Sequence, residues 1–92
     1  MPRVDNRPIG DPTVAHYYEW QGLSAASVTR KPFIYRANGW KCPSMNWRLF
    51  PGQLDRVIEH ISGDIQHSIL LRVIENRTGD VVAGFHRGRR VF

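Results

Sequence analysis

Acidic residues are missing from a long central part of this sequence. No Asp or Glu lies between Glu19 and Asp55, although the chain of 92 residues contains eight acidic residues. Within this gap, the stretch RKPFIYRANGWKCPSMNWRLF (residues 30–50) holds five Arg or Lys residues and five aromatic residues. Cations without neighbouring carboxylates attract anionic partners. We therefore predict that this stretch contributes to a surface that binds an anion.

Several sequence features that would set the cellular location are also absent. The single cysteine, Cys42, excludes an internal disulfide and is typical of a reducing compartment. The opening MPRVDNRPIGDPTVAH has no apolar core of a signal peptide. No apolar run approaches the roughly 20 residues of a membrane-spanning helix. We expect a soluble cytoplasmic protein that does not contact a membrane, located in the host cytoplasm if a phage encodes it.

The motifs of most enzymes and cofactor-binding proteins are missing as well. The four histidines, His16, His60, His67 and His86, do not share metal-ligand spacing with one another or with Cys42. No glycine-rich phosphate-binding loop occurs, and no serine lies in a nucleophile motif. We therefore predict no metal site, no small-molecule cofactor and no catalytic residue.

The charge of the chain indicates the class of partner. The net charge is +5 and the sequence pI is about 10.1, with 13 Arg and Lys residues against 8 acidic ones. Arginine dominates, and its planar fork can grip a phosphate or carboxylate through two hydrogen bonds. A GC-rich coding sequence would also favour arginine, so the ratio of Arg to Lys decides nothing by itself. The expected partners are a nucleoprotein complex, RNA or DNA, or an acidic protein surface.

The pattern of apolar residues predicts a small α+β domain. Residues 1–12, with three prolines, form an irregular lead-in, and residues 13–92 form one domain. Alternation in residues 13–21 predicts a strand. The spacing of Leu54, Val57, Ile58 and Ile61 predicts a helix over about residues 52–62 that ends at Gly63.

Two hairpins complete the predicted fold. In the first, Asn38-Gly39 suits a two-residue turn with positive φ. That turn would place Arg36 opposite Lys41 and Tyr35 opposite Cys42, leaving Cys42 on an apolar face. In the second, IQHSILLRVIE and VVAGFH flank the turn NRTGD. We expect an antiparallel sheet of about four to five strands with one main helix packed on it.

The predicted binding surface combines two basic regions with the exposed aromatic residue Trp47, and Tyr17 is the other aromatic residue expected at the surface. Aromatic rings between arginines can stack on bases while the cations hold phosphates. The directly opposed like charges of Arg36 and Lys41 would be relieved by a bound anion or, alternatively, by splaying into water. The predicted binding residues are Arg30, Lys31, Arg36, Lys41, Trp47, Arg48, Arg87, Arg89 and Arg90.

These features predict a non-catalytic binding protein. Its size and lack of motifs suit a phage or mobile-element accessory protein that docks on, or inhibits, a host nucleoprotein machine, anti-CRISPR inhibitors being one such class. One alternative comes from the closing VVAGFHRGRRVF, which resembles the last strands of bacterial endoribonuclease toxins. That resemblance implies metal-free RNA cleavage by His86 with Arg87, Arg89 and Arg90, and with His67 or His16 as a second acid or base. A structural or virion assembly subunit is the other alternative.

Overall fold

The computed structural model describes residues 15–23, 33–43 and 53–92. The strands are β1 (His16–Gln21), β2 (Phe33–Tyr35), β3 (Lys41–Pro43), β4 (Leu70–Glu75), β5 (Val81–His86) and β6 (Arg89–Arg90), and the helices are α1 (Leu54–His60) and α2 (Ser62–His67). The described strands form one antiparallel sheet in the order β2-β3-β1-β4-β5-β6. The α+β class is confirmed. The sheet has six strands rather than the expected four to five, because the chain turns once more after β5 to form β6.

The centre of the sheet is β1, which is covered on both faces. It pairs with β4 along its whole length, from His16 opposite Glu75 to Gln21 opposite Leu70. Residues 17–20 are all buried. The hydroxyl of Tyr18 donates a hydrogen bond of 2.8 Å to Asp64 in α2, so the even-numbered residues of β1 face the helices. We call the other side of the sheet the distal face.

The helical apolar stripe predicted from the sequence is confirmed. Val57 and Ile61 are buried in the core, with Leu54 and Ile58 packed against it. The polar residues of α1 on the outer side are exposed. This is the arrangement that apolar residues at positions i, i+3, i+4 and i+7 produce on one side of a helix.

The predicted end of the helix at Gly63 is wrong. The chain bends at Ile61 (φ −97°, ψ 17°) and continues as α2, which contains Gly63. Two contacts hold this extra turn, because Asp64 accepts from Tyr18 through its side chain and from the Ser68 hydroxyl through its carbonyl. Ile65, which the sequence placed in a strand, is therefore a buried helical residue, and β4 begins only at Leu70.

The register predicted for the first hairpin is also wrong. Asn38 and Gly39 do have positive φ (62° and 80°), but the turn contains three residues, Ala37–Gly39. Tyr35 therefore lies opposite Lys41, and Arg36 is not paired with Lys41. A shift of one residue moves side chains to the other face of a strand.

The second hairpin agrees with its prediction more closely. The turn between β4 and β5 contains Gly79 at φ 77°, as the sequence NRTGD indicated. A register shift lies between Val73 and Ile74. The prediction for residues 1–12 lies outside the described residues. Neither α1 nor α2 has the length and apolar character needed to cross a membrane.

Candidate anion-binding face of the sheet

A buried carboxylate organises the distal face. The Glu19 side chain has no exposed surface, and it accepts hydrogen bonds from two arginines, one in β4 and one just after β2. Arg72 in β4 donates to Glu19 Oε1 through Nε (2.9 Å) and Nη2 (2.6 Å). Arg36, just after β2, donates through Nε to Glu19 Oε2 at 3.1 Å. The two guanidinium groups thus use both carboxylate oxygens of Glu19.

Aromatic rings cover the two arginines of this cluster. The Arg72 guanidinium carbon lies 4.0 Å from the centre of the Trp40 ring, and that of Arg36 lies 5.8 Å from the centre of the Tyr17 ring. Such contacts add cation–π attraction to the ion pairs. The Arg36 side chain is only 5% exposed, whereas that of Arg72 is 23% exposed. Arg72 is therefore the member of the cluster that solvent and ligands reach.

The groups around the cluster are neutral and buried. Tyr17 was expected to be a surface residue, but it is buried, and its hydroxyl has no hydrogen-bond partner among the described residues. Burial raises the pKa of Tyr17 to about 12 and that of the Cys42 thiol to about 12. Cys42 is a buried free cysteine, as the sequence indicated, although it lies opposite Ile34 and not opposite Tyr35. A protonated, enclosed thiol of this kind is a poor nucleophile.

A cavity of about 250 Å³ opens beside this cluster. Its wall is formed by Trp40, Arg72, Gly84, His86 and Phe92, together with apolar residues of β4 and β5 and with Val91. None of its lining residues is acidic.

The close approach of Phe92 to the sheet depends on Gly84. A Cβ atom at Gly84 would lie 2.5 Å from Cε1 of the Phe92 ring, so the ring occupies the space that any larger residue would fill. Val91 and Phe92 both bond to the backbone of Gly84. The two residues thus form a bulge opposite Gly84, at the margin of the cavity.

Three exposed arginines lie in the β5–β6 hairpin, and Arg89 is the one whose pairing puts it on the face of the cavity. Arg87 and Gly88 form a two-residue turn between β5 and β6, with φ values of 49° and 83°. Arg89 pairs with His86, so its side chain shares the distal face with that cavity residue. Arg90 donates through Nε to the carbonyl oxygen of Phe92 at 3.1 Å. Among the described residues, no Asp or Glu side chain forms an ion pair with Arg87, Arg89 or Arg90.

The structure separates the predicted binding residues instead of gathering them. Arg36 belongs to the buried ion pair with Glu19. Lys41 lies on the helix side, opposite Trp20, with its ammonium 5.8 Å from the centre of the Phe33 ring. β3 and β6 are four strand positions apart, or roughly 19 Å. The predicted residues Arg30, Lys31, Trp47 and Arg48 lie outside the described residues.

The histidines proposed for RNA cleavage do not all converge. His16 pairs with Glu75 and His86 with Leu70, which puts them at opposite ends of β4, roughly 17 Å apart along the strand. Burial lowers the pKa of His16, with Glu75 opposing that shift. The Nδ1 atom of His67 lies 2.7 Å from the carbonyl oxygen of Gly63. Across the described residues, no cluster of His, Cys, Asp and Glu could hold a metal ion.

The predicted site residues did not include four residues that define this face: Glu19, Trp40, Arg72 and Phe92. Glu19 and Arg72 each interrupt an otherwise apolar or aromatic strand, which is a signal that two buried charges pair. No sequence pattern indicated Phe92 as a site residue, because its position follows from the bulge opposite Gly84. Comparison with protein-family models, curated proteins and solved structures finds no match to this chain. Its function is therefore argued from its own residues.

Proposed function

We propose that this protein is a non-catalytic binding protein for nucleic acid, either free or within a nucleoprotein complex. The β5–β6 turn and the adjoining distal face form the contact surface. The observation that carries the proposal is the exposed group of Arg87, Arg89 and Arg90, which has no acidic partner in the described parts of the chain. Guanidinium groups without carboxylate partners are available to phosphates.

The backbone at the turn supports a role for Arg87. Left-handed φ is uncommon outside Gly, Asn and Asp, and it costs a residue such as arginine about 1–2 kcal/mol. Arg87 nevertheless adopts φ 49°, and its N–H donates to the carbonyl oxygen of Ile69 at 2.8 Å. A strained residue held by its surroundings is a recognised feature of functional sites. Here the strain presents a cation at the tip of the turn.

A protein of this kind can act by occupying a site that would otherwise hold nucleic acid. Docking on a host nucleoprotein machine, as phage-encoded inhibitors such as anti-CRISPR proteins do, is the biological use that we propose for this surface. Such binding needs no catalytic group. It should be reversible and weakened by salt, because each phosphate contact releases counterions.

Fluorescence anisotropy with labelled oligonucleotides tests the proposal. The protein would be titrated against single-stranded RNA, single-stranded DNA and duplex DNA, at salt concentrations from about 50 to 200 mM. The double variant Arg87→Asn/Arg89→Gln removes two exposed charges, and asparagine tolerates positive φ, so the fold should be kept. For a single strand we expect weaker binding and a salt slope reduced by about 1.4.

The matched control is Arg56→Gln/Arg77→Gln. These two arginines are also exposed, one on α1 and one in the β4–β5 turn, so the net charge changes by the same amount. The control should bind as the wild type does. Equal losses in both variants would mean that only net charge matters, and would refute the assigned surface. No binding to any of the three nucleic acids would refute the proposal in favour of an acidic protein partner. Cleavage products on a denaturing gel would refute the non-catalytic assignment.

A further inference from the structure

The cavity on the distal face has the composition of a site for a planar, electron-rich group. Its wall combines the Trp40 and Phe92 rings with the Arg72 guanidinium, and all three are planar. Bases stack both on aromatic rings and on guanidinium planes. At about 250 Å³, the cavity lies just below the range of ordinary small-molecule pockets, so it suits one base and not a larger cofactor.

The charge of the cavity favours a group that is attached to a phosphate. Arg72 uses Nε and Nη2 on Glu19, and no bond from its Nη1 atom is formed within the described residues. The carboxylate of Glu19 behind the wall has no exposed surface, whereas the Arg72 side chain is 23% exposed. Arg89, which is exposed, shares a face with His86 at the rim. An anion is therefore attracted both to the wall and to the rim.

We infer that the cavity between Trp40, Arg72 and Phe92 takes one unstacked base of a single-stranded nucleic acid, while Arg89 and Arg87 hold the flanking phosphates. This inference rests on the proposed function and adds to it a single-strand preference. A duplex cannot occupy the cavity without unpairing a base. Because the site uses stacking and charge, it should tolerate any base identity.

The test compares two DNA strands of about 15 nucleotides that differ only in whether they carry bases. One is oligothymidine, and the other is the same sugar–phosphate chain with abasic positions throughout. Both have the same number of phosphates, so the ratio of their affinities isolates the contribution of the base. Stacking on one base should make the wild-type protein bind oligothymidine about fivefold or more tightly than the abasic strand.

Two variants test whether this ratio of affinities arises from binding in the cavity. Phe92→Ala removes a ring that is 52% exposed and lines the cavity, and the ratio should fall towards one. Tyr35→Ala removes a ring that is 74% exposed in the edge strand β2 and does not line the cavity, so the ratio should be kept. Phe92→Leu keeps an apolar side chain of similar length, so it is the control for the case that Phe92→Ala does not fold. A reduced ratio in this variant supports stacking.

The outcomes separate this inference from the proposed function. Equal affinity of the wild-type protein for the two strands would overturn the base site and leave charge-driven binding intact. A ratio that survives in Phe92→Ala, or that falls equally in Tyr35→Ala, would also overturn it. No binding to either strand would overturn the base site, and only a further failure to bind RNA and duplex DNA would refute the proposed function itself.

Discussion

Removing the negative charge of Glu19 should destabilise the fold more than removing any exposed carboxylate. In Glu19→Gln the side chain keeps its shape, but Arg36 and Arg72 lose their only carboxylate partner of the described face. The new amide group would also bring a donor towards a guanidinium that itself can only donate. Two cations would then have lost the carboxylate that pairs with both of them in a buried site.

The magnitude follows from the burial of each partner. Removing one partner of a buried ion pair costs about 3–5 kcal/mol. Arg36 is 5% exposed and has little access to water, whereas Arg72 is 23% exposed and can turn part of its guanidinium to water. We therefore expect a loss near the lower limit, about 3 kcal/mol. For a chain of this size, that lowers Tm by roughly 12–24 °C.

Urea denaturation followed by circular dichroism measures this loss. The control is Glu59→Gln, an exposed carboxylate on α1, which should change stability by less than about 0.5 kcal/mol. The double variant Glu19→Gln/Arg36→Met removes one of the two cations with the carboxylate, so it should be more stable than the sum of the single losses implies. Equal stability of Glu19→Gln and Glu59→Gln would refute the buried-charge reasoning.

Two other predictions concern the cavity and the buried ionisable groups. Gly84→Ala should displace the Phe92 ring, since the added methyl would lie 2.5 Å from it. The variant should therefore show a reduced preference for strands with bases, while its free energy of unfolding changes by only about 1 kcal/mol. Thermal melting and the anisotropy ratio test it, and an unchanged ratio would contradict it. The pKa values of Cys42 and Tyr17, both raised to about 12 by burial from 9.0 and 10.0, mean that unfolding releases protons at alkaline pH. The free energy of unfolding should stay constant below about pH 9 and fall as the pH rises to about 12. The fall should be smaller in Cys42→Ala. Equal urea midpoints at about pH 8 and pH 11 would contradict this prediction.

The proposed site is largely a product of the fold. Residues 30–50 attracted attention because they lack acidic side chains, yet Glu19 supplies a carboxylate to Arg36 from a neighbouring strand. A stretch of sequence without acidic residues can therefore still have a carboxylate beside it in the folded structure. A group of three exposed cations lies instead in the β5–β6 hairpin. Arg87, Arg89 and Arg90 were predicted as binding residues and remain so in our proposal.

The sequence by itself determined the elements that depend on local periodicity. Residue spacings within a single element predicted three features: the apolar stripe of α1, the strand at His16–Gln21 and the turn at Gly79. Positive φ at Asn38 and Gly39 was also predictable, because it is a property of those residue types.

Only the tertiary structure decided the register of the first hairpin and the composition of the distal face. The two-residue turn expected at Asn38-Gly39 occurs at Arg87-Gly88, while the first turn has three residues and reverses the faces of β2 relative to the prediction. Trp40, Arg72 and Phe92 reach one cavity from three separate parts of the chain. Contacts between such distant residues depend on strand order and register, which no local pattern specifies.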